Sequence, residues 1–217
     1  MVSLSTVATT ARKDQTENGT NSVLHAQTEQ EDLPEKITFE KEPLHPALLA
    51  KYQQFKASLV DFPIVTKKYF DRSLYQGEID PMTERRRGRG VFVSQEGDVY
   101  FGEWKDNLLV EGTYLFRNGE GFEGTVQRGK QGNGTYYYAN GNIYRGEWKN
   151  DVKNGRGTMK YPNGDSYSGE WVAGKKNGKG TYSYSNGTTY EGNFVDGKKQ
   201  GLGVVTFSDG TRVEAHW

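Results

Sequence analysis

The chain has 217 residues, with 28 Lys and Arg against 28 Asp and Glu and no cysteine. The missing thiols exclude a disulfide framework, a cysteine nucleophile and a Cys-ligated zinc. The even charge balance is a poor footprint for nucleic acid, and no apolar run reaches the length of a membrane-spanning helix, about 18 residues or more.

Residues 1–42 are polar with few large apolar side chains. They cannot bury enough surface to offset chain entropy, so a disordered tail is expected. Met1 to Lys13 is rich in Ser, Thr and Ala and free of acids until Asp14, as in organellar import signals, but only Arg12 and Lys13 are basic. An ordinary tail fits better. The composition changes over residues 43–63, which read as an amphipathic helix and linker. Pro46 can open a helix at its first turn and Pro63 bounds it. Leu48, Tyr52, Phe55 and Leu59 recur at spacings of four, three and four, which places them on one helix face. That face could cover an exposed end or face of a neighbouring sheet, or dock into a partner's groove.

From Tyr75 onward one phrase recurs every 22 to 25 residues: Tyr-x-Gly-x-Trp, a gap, Gly-x-Gly, a short apolar stretch, Asn-Gly. A fixed period of this size means one supersecondary unit copied and stacked. The cleanest copies hold Tyr144, Gly146 and Trp148; Tyr167, Gly169 and Trp171; and Tyr190, Gly192 and Phe194. Looser ones start at Phe122, Tyr100 and Tyr75, which makes six. A seventh stops after its first strand, with Val213, Ala215 and Trp217 in the Tyr, Gly and Trp places.

Asn-Gly between two aromatic-rich runs signals a hairpin with a type I′ turn. Gly157 to Tyr161 should therefore pair with Asp165 to Trp171. Side chains alternate along a strand, so Tyr167, Gly169 and Trp171 share one face and Glu170 points to the other. Glycine inside a strand marks close approach by another group. We expect a slot there, filled by an aromatic ring of a neighbouring copy. Twelve strands spaced about 4.8 Å apart would make an elongated, twisted antiparallel sheet roughly 58 Å across, with a long groove.

Charges also fall in register. Lys175, Lys176, Lys198 and Lys199, with Lys153, Arg156 and Lys179, lie between the Trp place and the Gly-x-Gly. Arg85, Arg86, Arg87 and Arg89, and Arg128 and Lys130, do the same in earlier copies. Stacking should align them into a basic ridge, beside an acidic row of Glu78, Glu103, Glu147 and Glu170. Such rows are ordinarily a solvated edge; the functional alternative is a strip for an acidic protein or an anionic headgroup.

The phrase resembles the MORN repeat over residues 75–217. The likeness is fullest at 144–210. It is looser at 100–143, where Gly112 lacks its partner glycine and Thr125 replaces Glu. It is weakest at 75–99, where Ile79 stands for Trp. The resemblance implies an all-β hairpin solenoid used for assembly, as in junctional, cytoskeletal and ciliary scaffolds, or an accessory array on lipid kinases and methyltransferases. It implies protein docking, dimerisation or acidic-lipid binding, and no activity.

No catalytic or cofactor site emerges. His25, His45 and His216 fit no metal spacing. Gly178-Lys179-Gly180-Thr181 does not fit a phosphate loop. The expected function is a non-enzymatic scaffold subunit offering a sheet groove to protein partners, without cofactor or metal. It would be cytoplasmic, in a cilium or cytoskeletal assembly. The alternatives are a peripheral membrane tether acting through the basic ridge, which the balanced charge disfavours, and a regulatory subunit of an enzyme complex. Leu48, Tyr52, Phe55, Leu59, Lys175, Lys176, Lys198 and Lys199 are the candidate partner-binding residues. The open edge left by the truncated last copy could pair with a second copy of the chain.

Overall fold

The computed structural model describes residues 45–217 apart from Phe62, Gln127 and Arg128. The expected tail at 1–42, with His25, and the ridge position Arg128 lie outside the described residues. One helix, α1 (Pro46–Ser58), precedes a single antiparallel sheet. Its strands run in chain order: β1 (Val65–Lys68), β2 (Leu74–Ile79), β3 (Arg86–Val93), β4 (Val99–Lys105), β5 (Leu108–Leu115), β6 (Gly121–Thr125) and β7 (Gln131–Tyr137) in the first half. Then come β8 (Ile143–Lys149), β9 (Val152–Lys160), β10 (Ser166–Val172), β11 (Lys175–Ser183), β12 (Thr189–Val195), β13 (Lys198–Thr206) and β14 (Arg212–His216). Every strand pairs only with its sequence neighbours, and the sheet stays open. Beyond the twelve strands of the six copies stand β14, which is the start of the seventh, and β1, which the repeat pattern does not announce.

The expected turn chemistry is exchanged between the two ends of the strands. At Tyr161–Asp165 only Gly164 has positive φ, +87°. Gly164 N donates to Tyr161 O (3.0 Å) and Tyr161 N to Asp165 O (2.9 Å). That is a three-residue loop, a type I turn closed by a left-handed glycine, and not a type I′ turn. Asn163 Oδ1 accepts from Asp165 N at 3.1 Å, so asparagine serves by its side chain. The type I′ turns lie at the opposite ends, at Asp106-Asn107, Asn150-Asp151, Ala173-Gly174 and Asp196-Gly197, where both central residues have positive φ.

The core is organised by a row of glycines that crosses the sheet. Gly77, Gly90, Gly102, Gly112, Gly124 and Gly134 are successive cross-strand partners. Gly146, Gly157, Gly169, Gly180, Gly192 and Gly203 continue the row, which ends at Ala215. Without side chains these residues form a trough on one face. The ring of Tyr167 lies in it: a methyl added at Gly180 would stand 2.5 Å from both Tyr167 Cε2 and its hydroxyl oxygen. The ring filling the expected slot is thus the copy's own tyrosine and not a neighbour's. The neighbours meet it edge-on. Trp171 packs perpendicular to Tyr167 (5.3 Å between centroids, 84°) and to Tyr144 of the preceding copy (5.1 Å, 82°). Edge-to-face pairs of this kind add to the area they bury.

Backbone groups fix these rings. The hydroxyls of Tyr75, Tyr144, Tyr167 and Tyr190 donate to the carbonyl three residues on, at 2.8 to 3.2 Å. The indoles of Trp104, Trp148 and Trp171 donate to the carbonyls of Gly90, Gly134 and Gly157, at 2.9, 3.2 and 3.1 Å. Copy two departs: the Tyr100 hydroxyl turns to Asp98 (3.4 Å) and Leu109 is the side chain against Gly112.

The other face has a second core. Leu48, Tyr52 and Leu59 are buried with Val91, Val99, Phe101 and Leu115. Phe55 is half-buried, 5.2 Å from the Phe101 ring. Leu59 belongs to a short 3-10 turn (Leu59–Asp61) after the helix, and not to α1 itself. Lys51 pairs with Glu123 across this seat. These four apolar residues, expected as partner-docking candidates, are therefore spent on the chain's own sheet, because the early strands present a matching apolar face.

Two stability outcomes follow. Gly180→Ala should cost about 1–3 kcal/mol by forcing the Tyr167 ring out of the trough, read as a shift of the denaturation midpoint; Lys179→Ala, on the opposite face, should leave that midpoint in place. The buried Tyr52 hydroxyl has no hydrogen-bond partner among the described residues, so Tyr52→Phe should stabilise the chain by about 1 kcal/mol.

Candidate functional site

The glycine-trough face carries a second, outer aromatic row nearer the three-residue loops. Tyr100 and Tyr114 (4.7 Å), Tyr136 and Tyr138 (4.5 Å), Tyr161 and Tyr182 (6.0 Å), and Tyr182 and Tyr184 (4.7 Å) are in ring contact. All are half-buried. They stand here because they sit two or four residues from the glycines along the chain, on the same face. At the loop end carboxylates hold their hydroxyls: Tyr136 donates to Glu120 (2.7 Å) and Tyr182 to Asp165 (2.8 Å).

A cation lies over the rings in nearly every copy. Arg86 is 4.5 Å from the Phe92 ring and 4.6 Å from Trp104. Lys130 lies 5.5 Å from Tyr136, Lys153 4.6 Å from Trp171, Lys176 4.7 Å from Tyr182, and Lys199 4.2 Å from Tyr190. Cations at these distances are attracted by the negative ring face. Copy two substitutes the buried Leu109. Burial lowers the affinity of Lys153 and Lys176 for their protons, and the next lysine in the row, Lys176 and Lys199 respectively, lowers it further.

The expected ridge is accordingly two rows, one lying on rings and one exposed beside the turn aspartates, with Lys130 making both kinds of contact. Lys176 and Lys199 lie on rings. Lys175 and Lys198 are exposed, and Lys175 pairs with Asp196 of the next turn at 3.1 Å. Arg85–Asp106 (3.5 Å) and Lys130–Asp151 (3.0 Å) repeat that pairing. The acidic row is also engaged. At β8–β9 the pairing jumps from Gly146–Gly157 to Trp148–Lys153, and Glu147 reaches over the bulge to accept from Arg156 N at 2.8 Å. Glu78 does the same for Arg89 N at 2.8 Å. These glutamates cap irregular backbone. Sequence periodicity locates them but does not reveal that job, which depends on the bulge.

The face opposite the trough is open beyond α1. Two grooves of about 720 and 580 Å³ continue from the helix across copies three to five, lined by polar groups such as Arg145, Thr158, Ser168 and Lys179. Among the described residues no group of His, Asp or Glu could hold a metal ion, and no helix is long and apolar enough to cross a membrane. His45 caps α1 and His216 lies in β14.

The tyrosines predict an alkaline transition. Burial raises the phenol of Tyr100 (aided by Asp98), Tyr138 (aided by Glu120) and Tyr167 (aided by Glu170) to about 12, against about 10 in an unfolded chain. Below pH 10 both states are neutral and stability is complete. As pH rises from about 10 to 12 only the unfolded state ionises, so stability should fall through that window, and it should go on falling above it because burial pushes the phenols of Tyr75, Tyr136, Tyr144 and Tyr182 higher still. Tyrosinate absorbance and melting temperature against pH will read it.

Comparison with known proteins agrees with the architecture. The MORN repeat family matches five consecutive stretches: residues 100–121, 122–143, 144–166, 167–189 and 190–212. The hairpin β2–β3 precedes the matched residues, yet Tyr75 fills its trough in the same way. No curated protein matches the chain. Among solved structures, the TCP domain of Drosophila melanogaster SAS-4 (dCPAP), in complex with a proline-rich motif of Ana2, is 14% identical. That likeness covers 70% of this chain and 82% of that one at a TM-score of 0.38. The TCP10 domain of Danio rerio CPAP is 13% identical, with 70% and 73% covered and a TM-score of 0.45. Scores this low leave the assignment to the repeats themselves. With its tyrosines, glycines and tryptophans meeting in one trough and five tandem matches spanning more than half its length, the chain belongs to the MORN-repeat family.

Proposed function

We propose that the chain is a non-enzymatic scaffold subunit, and that a protein partner docks along the outer aromatic row of the trough face. One observation carries this reading. The sheet's two faces are treated differently: α1 covers the apolar part of one, while the half-buried row from Tyr100 to Tyr184 on the other has no covering element among the described residues. Aromatic side chains with a polar tip suit protein interfaces, since one end is apolar and the other wet. The motif residues themselves are committed to packing, which leaves shape and this strip as what the molecule offers. A ciliary or cytoskeletal assembly is the setting we favour, on family resemblance. The pairing of Lys175 with Asp196, and the lysines laid on rings, weigh against a tether that projects a basic ridge at anionic lipid.

The test is affinity purification of the native complex with the full chain and with a Tyr138→Ser/Tyr182→Ser variant. The melting temperature of the variant confirms its fold. We expect structural proteins to co-purify with the wild type and to drop about tenfold in the variant. Equal recovery, or co-elution with an enzyme alone, refutes the reading.

A further inference from the structure

We propose that Lys153, Lys176 and Lys199 form a ladder that binds an extended acidic segment of the partner, with a carboxylate at every third residue. This rests on the scaffold reading above and names the chemistry of what docks there.

The three lysines occupy one place in successive copies, 23 residues apart. Each ammonium is fixed by rings around it. Lys153 is held by Tyr138 (5.6 Å), Tyr144 (5.5 Å) and Trp171 (4.6 Å). Lys176 is held by Tyr161 (5.3 Å), Tyr167 (5.1 Å) and Tyr182 (4.7 Å). Lys199 is held by Tyr184 (5.4 Å), Tyr190 (4.2 Å) and Trp217 (5.3 Å), and donates to the Tyr184 hydroxyl at 2.9 Å. None of the three pairs with a carboxylate among the described residues. Elsewhere the same chain does supply counter-ions, with Asp151 for Lys130 and Asp196 for Lys175. Asp165, which accepts from the Tyr182 hydroxyl beside Lys176, is taken by Tyr182, Ser185 N and Asn163. Half-buried positive charges gain more from an incoming carboxylate than solvated lysines do, and burial together with the next lysine in the row already lowers the proton affinity of Lys153 and Lys176.

Spacing selects the ligand. One copy advances the ladder by two strands, or about 9.6 Å. Three residues of a chain extended in the polyproline II form, at about 3.1 Å each, span about 9.3 Å and return to the same side. An acidic residue at every third position, running across the strands, therefore meets successive ammoniums in register. Every third phosphate of a nucleic acid strand, at about 3.4 Å each, would fit this spacing too; the balance of 28 basic against 28 acidic residues is what disfavours nucleic acid. A lipid surface has no period and would engage the exposed Lys175 and Lys198 first.

The experiment measures fluorescence anisotropy of the full chain, at low ionic strength, with two labelled peptides of equal composition. One repeats Glu-Ser-Ser; the other carries its glutamates in one block. The spaced peptide should bind about tenfold tighter. A Lys153→Met/Lys176→Met/Lys199→Met variant, which keeps the stems over the rings, should lose that preference. Lys175→Met/Lys198→Met should keep it. If the triple variant melts early, Lys199→Met alone should still lower the preference several-fold. Equal affinity for both peptides, a preference that survives in the triple variant, or binding to phosphatidylserine vesicles that needs the same three lysines overturns the ladder. If the ladder fails while the Tyr138/Tyr182 variant still loses its native partners, the scaffold reading stands; if that variant keeps them, the aromatic face itself was wrongly chosen.

Discussion

A tyrosine ring laid across two facing glycines holds this molecule together. The row of glycines lets each ring approach the backbone at van der Waals distance, and the hydroxyl then reaches a carbonyl of its own strand. The next copy's tryptophan closes the ring's edge and donates to a glycine carbonyl of the copy before it. Every contact in this set is within a copy or to the adjacent one. Stability is therefore close to a nearest-neighbour sum, and the sheet can be long and open without a central core.

The constraint also explains the sidedness. Because the trough takes the rings, the opposite face is left with whatever the alternate positions supply. In the early strands those are Val91, Val99, Phe101 and Leu115, which need covering, and α1 covers them. In the later strands they are Thr158, Ser168 and Thr181, which are content in water. The helix thus ends where the apolar seat ends. On the trough side, lysines and one arginine lie over the rings, where a cation gains from the ring face and loses hydration. The arginine, Arg86, has its Nε and one terminal nitrogen buried and unpartnered among the described residues. Leu109 takes the same place in copy two, so this position tolerates an apolar side chain as well as a charge.

Much of this was legible in the residues. The 23-residue period, the alternation of Tyr167, Gly169 and Trp171, and the pairing of β9 with β10 follow from strand geometry alone, because a period of two and a turn signal leave one register. The strand β1 was not legible, since four residues of Val-Thr-Lys-Lys carry no repeat mark. The turn type was misread because Asn-Gly suits either a two-residue or a three-residue loop, and the strand register decides for the longer one: Ala139-Asn140-Gly141 and Ser185-Asn186-Gly187 close in the same way without a proline.

The amino-acid order by itself determined the repeat, the hairpins, the shared face of tyrosine, glycine and tryptophan, and the in-register charges, for all of these are local spacings. Only the tertiary structure decided which ring fills each glycine gap, which lysines of the basic ridge lie on rings, which pair with turn aspartates and that Lys130 does both, and that α1 seats on its own sheet. Those outcomes depend on how far a side chain bends back over strands it does not follow in sequence, a distance that no spacing along the chain contains.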